Sequence, residues 1–303
     1  MIFLIDGHSI AYRAFYALPE TLATKDGFPT NVIHGFLMML SKLVNNYDVE
    51  KIIITWDVSK KTFRNEIYGD YKANRTSSPD NFKIQIKKLK SLLTKFNLPQ
   101  VSLEGFEADD VLGSLSNHFN KKNEKVMIVT GDRDSFQLIS SNTHVMYTKR
   151  GISDVEIFDA NAFTKKYSIK TEQYIEYLAL KGDKSDNIPG LPGVGEKTAI
   201  SLLLNYKKIS NIYKNLDELT PRLKSNFEDH KDLLKMSKEL ATIRTDLELE
   251  IPTTKINETI FVNEKILKDS RNDISKYELN RFLGERKNIN KNEIKKDKLE
   301  IKI

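Results

Sequence analysis

The spacing of apolar and polar residues divides this chain into two halves. In the first, short apolar runs alternate with segments of helical period. Residues 2–6 form an apolar run that ends in a carboxylate, and a helical pattern follows through Ala17. A second helical pattern runs from about Val32 to Val44. Residues 51–57 (KIIITWD) and 124–130 (EKVMIVT) read as strands rich in β-branched residues, and residues 144–148 as a fourth. Runs this short, bounded by polar turns, are what a parallel sheet covered on both faces requires. Strands separated by helices predict an α/β fold with a doubly wound, mostly parallel sheet. Ile84, Ile86, Leu89, Leu92 and Leu93 give one further amphipathic helix.

The second half, from about Thr171 to Thr242, carries helical patterns and few strands. Between two of its helices lie residues 187–195 (NIPGLPGVG), dense in helix breakers. From about Glu285 the chain becomes Lys/Asn/Ile-rich and weakly patterned, which predicts a frayed or disordered basic tail. No internal repeat is visible. The pattern predicts three parts: 1–168, 169–260 and a C-terminal extension at 261–303.

Composition sharpens this picture by exclusion. Apolar residues make up 39%, normal for a globular protein, and 303 residues suffice for a sizeable core. The apolar start, Met1 to Ile5, is stopped by Asp6 and has no basic region before it, so it is not a signal peptide. No stretch approaches the ~20 apolar residues of a membrane span. The absence of cysteine removes disulfides, thiol nucleophiles and thiolate zinc sites, and it fits a reducing cytoplasm. The five histidines (His8, His34, His118, His144, His230) are scattered without a metal-binding pair. The net charge is +6, which favours a polyanionic partner. It is unevenly spread: residues 60–95 hold ten Lys/Arg against three acids, so dense acidic clusters must lie elsewhere.

Those clusters fall at the ends of the expected strands. Asp6 ends the first, Asp57 the second, and Asp132 and Asp134 follow the third in a Gly-Asp-Arg-Asp turn. In open parallel sheets the ligand site lies beyond the carboxyl ends of the strands. Glu107, Asp109 and Asp110 open the next helix, and Asp183 and Asp186, three apart, would share a face of a helical turn before the Pro/Gly stretch. Taken singly, each acid reads equally well as a helix cap. Taken together, nine converging carboxylates would repel and bind protons, unless hard divalent cations neutralised them. Mg²⁺ prefers such oxygen ligands, Mn²⁺ accepts them, and a pair of ions suits phosphodiester hydrolysis.

These residues resemble the 5′-nuclease family: the 5′–3′ exonuclease domain of bacterial DNA polymerase I, phage 5′ exonucleases and flap endonucleases. The matching segments are residues 3–7 (FLIDG) with Tyr12 and Arg13, 55–57 (TWD), 71–75 (YKANR), 107–110 (EADD), 130–134 (TGDRD), 182–190 (GDKSDNIPG) and 193–198 (GVGEKT), spanning residues 1 to about 260. Their order is that of the polymerase I type, and no polymerase domain follows, so the resemblance is to a free-standing version. It implies a PIN-like nuclease domain, a helix–hairpin–helix domain, and a two-Mg²⁺ structure-specific 5′–3′ exonuclease or flap endonuclease of replication and repair. By this resemblance Asp6, Asp57, Glu107 and Asp109 hold the first metal. Asp132, Asp134 and Asp183 lie near the second, with Asp132 close to both, and Asp110 and Asp186 act directly or through water. Asp6, Asp57, Asp132 and Lys72 carry the catalysis, Lys72 by stabilising charge on the scissile phosphate.

The basic segment, about residues 60–96, matches the family's helical arch, through which a single-stranded 5′ end threads. A mobile Lys/Arg-rich loop beside the metals attracts phosphates and can order on binding. Tyr71 would offer a stacking face, Arg64 and Arg75 phosphate clamps, and Tyr12 and Arg13 further DNA contacts. Lys83 through Lys90 read instead as a solvated helix face. Residues 190–198 (GLPGVGEKT) fail as a P-loop, since Glu196 separates Gly195 from Lys197 and no strand precedes them. A helix–hairpin–helix fits better, with Gly193, Gly195, Lys197 and Thr198 on duplex phosphates and, by the resemblance, a K⁺ ion between hairpin and DNA. The partners implied are 5′-flapped, nicked or branched DNA, RNA primers and a separate polymerase, the protein itself being a monomer. A catalytically weak DNA-binding relative and a small PIN-like ribonuclease are the alternatives. The complete acid set argues against the first, and the long arch and second helical domain against the other.

Overall fold

The computed structural model describes residues 1–59, 61–150, 154–279 and 282. Strand β1 (Ile2–Asp6) leads into helix α1 (Gly7–Ala17), followed by α2 (Asn31–Asn46), β2 (Lys51–Thr55), α3 (Phe63–Ile67), α4 (Asp80–Lys95) and β3 (Gln100–Val101). Next come α5 (Ala108–Asn120), β4 (Val126–Thr130), β5 (Thr143–Arg150) and β6 (Asp154–Phe158). Helices α6 (Ala160–Tyr167), α7 (Tyr174–Lys181), α8 (Glu196–Tyr206), α9 (Ile209–Lys214), α10 (Pro221–Asp229) and α11 (Lys231–Ala241) form the second half. The short α12 (Glu264–Asp269) and α13 (Arg271–Lys276) close the described chain.

The sheet order is β3-β2-β1-β4-β5-β6, parallel throughout except for the antiparallel β6. Two strands go beyond the sequence reading. Strand β3 is only two residues long, and β6 is a partly exposed edge whose pattern is weak. Strand alternation then sorts the central residues onto two faces. Phe3, Ile5, Ile52, Ile54, Met127 and Val129 face one core, shared with α1, α2 and α4. Ile2, Leu4, Ile53, Val126 and Ile128 face the other, shared with α5, α7, α8 and α11. The helical second half is thus packed onto one face of the sheet.

The basic segment does not form one mobile loop. Its latter part, α4, is a core helix: Phe82, Leu89, Leu92 and Leu93 are buried. The Gln85 amide bonds across to α2, accepting from Val32 N (2.9 Å) and donating to Asn31 Oδ1 (2.9 Å). Apolar periodicity outweighs the lysines, because each fully buried large side chain is worth ~1.5–3 kcal/mol. The expected solvated face of Lys83 through Lys90 holds only in part. Lys83 and Lys87 are exposed. Lys88 lies 4.7 Å from the centre of the Tyr277 ring, and Lys90 4.6 Å over Trp56. The start of the C-terminal extension is folded: Ile260, Phe261, Ile274, Tyr277, Leu279 and Phe282 are buried in the α4 core, and Phe282 stacks on Phe96. The basic tail expected from about Glu285 lies outside the described residues, as does Lys60.

Candidate functional site

The crevice at the carboxyl edge of the sheet is built by main-chain termini that stop together. In the β1–β2 register Asp6 pairs with Thr55, so Asp57 emerges just beyond it. On the other side of β1, strand β4 ends at Thr130 and releases Asp132 and Asp134 into a turn. This is the point where the strand order reverses. A hydrogen-bond chain fixes the acids. Asp6 caps α1 by accepting from Ser9 N (3.0 Å), and its other oxygen accepts from Thr130 Oγ1 (2.7 Å). Asp132 N donates to that hydroxyl (2.9 Å), and Asp134 N to Asp132 Oδ1 (2.9 Å). Asp57 accepts from Ala108 N (2.8 Å), which ties β2 to the start of α5 beside Glu107 and Asp109.

Residues 71–75 of the basic segment enter this crevice with their cations. Lys72, at φ 57, is held in the left-handed region, and its N–H donates to Asp186 O (3.0 Å). Its ammonium lies 2.7 Å from Glu107 Oε2 and 3.4 Å from Asp186 Oδ2. Arg75 pairs with the other oxygen of Asp186. Asp183 and Asp186 do not share a helical turn. Helix α7 ends first, and Asp183 forms a bridge with Ile188 (2.8 and 2.9 Å), so a tight turn presents the two acids instead.

Proton affinities record the crowding. Burial, with the charges of Asp57 and Asp132, raises Asp6 to about 6 against the pull of the Ser9 and Thr130 bonds. Burial and the neighbouring Asp132 raise Asp109 and Asp134 well above the usual carboxylate range. Burial and Asp186 raise Asp132. Two acids move the other way. Desolvation opposes the ionisation of Asp57, but the His8 ring at 3.1 Å, the Ala108 N–H and the Lys72 charge together outweigh it and bring Asp57 to about 2. Burial also opposes Asp186, and Lys72 and Arg75 outweigh it. His8 escaped the sequence reading, which sought zinc-type pairs; it lies two residues past Asp6.

These donors fit hard cations. They are oxygen-only and mutually repelling, and Asp109 Oδ1 is buried without a hydrogen-bond partner. Among the described residues no three His, Asp or Glu groups stand close enough to enclose an ion unaided. Asp6, Asp57, Glu107, Asp109 and Asp132 line one cavity of about 1130 Å³, and Tyr12, Arg13, Lys72 and Arg75 share its wall. Asp134 adjoins it through its backbone bond to Asp132, and Asp183 lies near enough to Asp134 to raise its pKa.

Three expected site residues are not available there. Arg64 is 2% exposed and cannot clamp phosphate. Its guanidinium bonds both oxygens of Asp110 (2.7 and 2.8 Å) and the carbonyls of Leu240 and Thr242 (each 2.9 Å). Asp110, 0% exposed, also accepts from the N–H groups of Glu107 (3.1 Å) and Arg244 (2.9 Å), which leaves it no face for a metal or its water. Tyr71, 4% exposed, offers no stacking face, and its hydroxyl sits between Glu107 (3.2 Å) and Asp186 (3.1 Å), sharing its one proton with them. Arg13 lies at the rim, donating to the carbonyls of Lys149 (2.8 Å) and Gly131 (3.4 Å).

The Gly-rich hairpin forms a second, separate surface. It joins α7 to α8, with no strand before it. Gly182 and Gly190, both at positive φ, pack backbone to backbone, so a Cβ on Gly190 would meet Gly182 N at 2.4 Å. That contact closes the base of the hairpin. Gly193 (φ 73) and Gly195 face open space, and Lys197 is exposed while Val194 is buried. No side chain caps the first turn of α8, which leaves its N–H groups without a side-chain acceptor at the N-cap.

Comparison with known proteins adds a family context. Residues 1–168 match the family model described as 5′-3′ exonuclease, N-terminal resolvase-like domain, and residues 169–262 that described as 5′-3′ exonuclease, C-terminal SAM fold. DNA polymerase I of Bacillus caldotenax is 40% identical over 249 residues, covering 82% of this chain and 28% of the relative. DNA polymerase I of Bacillus subtilis is 38% identical over 265 residues, covering 87% and 30%. The chain therefore spans less than a third of the length of these relatives. A bacteriophage T5 flap endonuclease, solved as a pseudo-enzyme–product complex with DNA and metal ions, matches with a TM-score of 0.68. The match covers 80% of this chain and 89% of that one at 19% identity, a likeness of fold. No helix among the described residues is long and apolar enough to cross a membrane.

Proposed function

The chain belongs to the 5′–3′ exonuclease family, and from that premise we propose that it is a Mg²⁺-dependent, structure-specific nuclease hydrolysing DNA phosphodiesters near 5′ ends. The observation that carries this reading is the crevice where three parallel strands stop and bring Asp6, Asp57 and Asp132 to one cavity wall, beside Glu107 and Asp109 at the start of α5. The residues that would hold divalent cations are Asp6, Asp57, Glu107, Asp109, Asp132, Asp134, Asp183 and Asp186, with Mn²⁺ able to replace Mg²⁺. When bound, such ions supply an ionised water and offset charge on the departing oxygen. Asp110 is left out of that set, and Arg64 and Tyr71 out of the DNA contacts.

The chain's own groups set the stage for this chemistry. Thr130 and Ser9 orient Asp6, and the Asp132–Asp134 backbone bond fixes the turn. Lys72 and Arg75 bring two cations to the acids from the arch, positioned to meet a scissile phosphate. Tyr12 and Arg13 line the same cavity along α1. The hairpin residues Gly193, Gly195, Lys197 and Thr198 grip duplex phosphates without reading bases, with K⁺ as a bridging ion. On this reading residues 1–168 cut and 169–260 hold the duplex, as a cytoplasmic monomer working with a separate polymerase on flaps, nicks and RNA primers. The test uses a labelled 5′ flap, a nicked duplex and a blunt duplex, each with Mg²⁺ and with chelator. Cleavage should favour the flap and vanish in chelator. Undiminished cleavage in chelator would overturn the reading.

A further inference from the structure

Four large hydrophobic side chains are exposed among the described residues: Tyr16, Val58, Ile84 and Leu204. Tyr16 is the extreme case at 75% exposure, and it lines the same cavity as the acids. Its ring is nonetheless fixed. It stacks on Tyr12 (centroids 6.4 Å apart, planes 11° apart), and Tyr12 stacks on Phe82 (4.0 Å, 14°). Phe82 is buried in the α4 core, the Tyr12 hydroxyl bonds the Ser78 hydroxyl, and Phe15 meets Tyr16 edge-on. The result is a three-ring ladder rooted in the core whose last face is open to the cavity.

The same cavity wall carries Arg13, Lys72, Arg75 and Lys83, cations that suit the phosphates of a strand passing that face. A flat ring of any sequence stacks on such a face, which is how single strands are held without base readout. Position along α1 sets the distance. Asp6 caps one end of the helix, and Ser9, Tyr12 and Tyr16 follow along the same face. At 1.5 Å per residue, Tyr16 lies roughly 15 Å from the acids, the length of about four stacked bases at ~3.4 Å each.

We propose that Tyr16 is a substrate-positioning residue that stacks an unpaired base of a 5′ single strand, several nucleotides from the bond to be cut. The inference rests on the nuclease reading for its substrate but not for its measurement. The probe is a nicked duplex carrying a 5′ flap of about six nucleotides, with the fluorescent base 2-aminopurine placed at each flap position in turn. Emission is read in chelator, where no cutting is required. In the wild-type protein a position several nucleotides into the flap should be quenched. Tyr16→Ala should abolish that quenching and weaken flap binding by about 5- to 10-fold, the lower range for one lost base stack. Tyr16→Trp should preserve both, and binding to a duplex without a flap should be unchanged in all variants. Absence of quenching at every position, or quenching that survives in Tyr16→Ala, would overturn the proposal. Loss of cleavage with Mg²⁺ while Tyr16-dependent quenching persists would instead sink the nuclease reading and leave the stacking face standing.

Discussion

On the proposed reading the acid crevice and the Gly-rich hairpin both face phosphates, yet they are built in opposite ways. In the crevice, on that reading, side chains carry the function. Asp6 is buried, and each of its oxygens accepts one bond, from Ser9 N and from Thr130 Oγ1, which orients the lone pair left on each. In the hairpin the main chain carries the function: Gly193 and Gly195 have open space where a Cβ would be, and the N–H groups opening α8 have no side-chain cap. Metal chemistry needs charges fixed within a narrow tolerance, and burial provides that at the cost of strong mutual repulsion. Holding a regular duplex backbone needs only partial charges at an open surface. The two regions should therefore fail separately and in different observables.

The largest effect expected is on the crevice side. Asp134 is held by its backbone bond to Asp132 and repelled by Asp132, Asp186 and Asp183. Asp134→Ala should reduce single-turnover cleavage to near background, on the order of 1000-fold or more for loss of a metal-site electrostatic group. Flap affinity in chelator should hold within a few-fold. Removing one repelling charge should also stabilise the fold without metal. If affinity falls in parallel with cleavage, the two regions are one site and the comparison collapses.

The crevice was legible because strand ends are legible. A β-branched run that stops at an aspartate locates both the strand and its charged end, and three such runs in a parallel sheet have one possible common edge. Partnerships between distant segments were not. Arg64 and Asp110 each sit in a suggestive setting, a basic segment and an acidic motif. Only the fold brings them together, 46 residues apart, beneath the carbonyls of Leu240 and Thr242. Tyr71 was misplaced for the same reason, because its burial depends on α5 and on the turn holding Asp186. The amphipathic face of α4 was visible, but its cover was not: Lys88 meets Tyr277, beyond the motifs, on a segment too short to announce itself.

That pair supplies the next test, of moderate size. Removing one member of a buried ion pair strands the other, at a cost of about 3–5 kcal/mol. Arg64→Ala should lower the stability to denaturant by that amount. The folded fraction should keep wild-type flap affinity, because Arg64 touches no solvent. A phosphate clamp would behave in reverse, with normal stability and weaker, more salt-sensitive binding. Arg64 would then have to leave Asp110 on binding, and the line between buried scaffold and working crevice would need redrawing.

The smallest effect belongs to the hairpin and tests its side of the comparison most directly. Lys197 is the exposed cation in the first turn of α8, beside Gly195. If the N–H groups do most of the holding, the lysine adds one screened phosphate contact. Lys197→Ala should then weaken duplex affinity only several-fold, and lower the slope of log affinity against log salt by about one unit. Two duplexes of unrelated sequence should lose equally, and saturating single-turnover cleavage should not change. Placing a Cβ in the open space at Gly195, by Gly195→Ala, separates the two contributions. This position is not at positive φ, so the backbone tolerates the change, and any large loss of affinity comes from blocking close approach. If Gly195→Ala costs more affinity than Lys197→Ala, the main chain is the gripping surface. If the lysine costs more, the hairpin works through its side chains after all, and the contrast with the crevice is one of exposure alone.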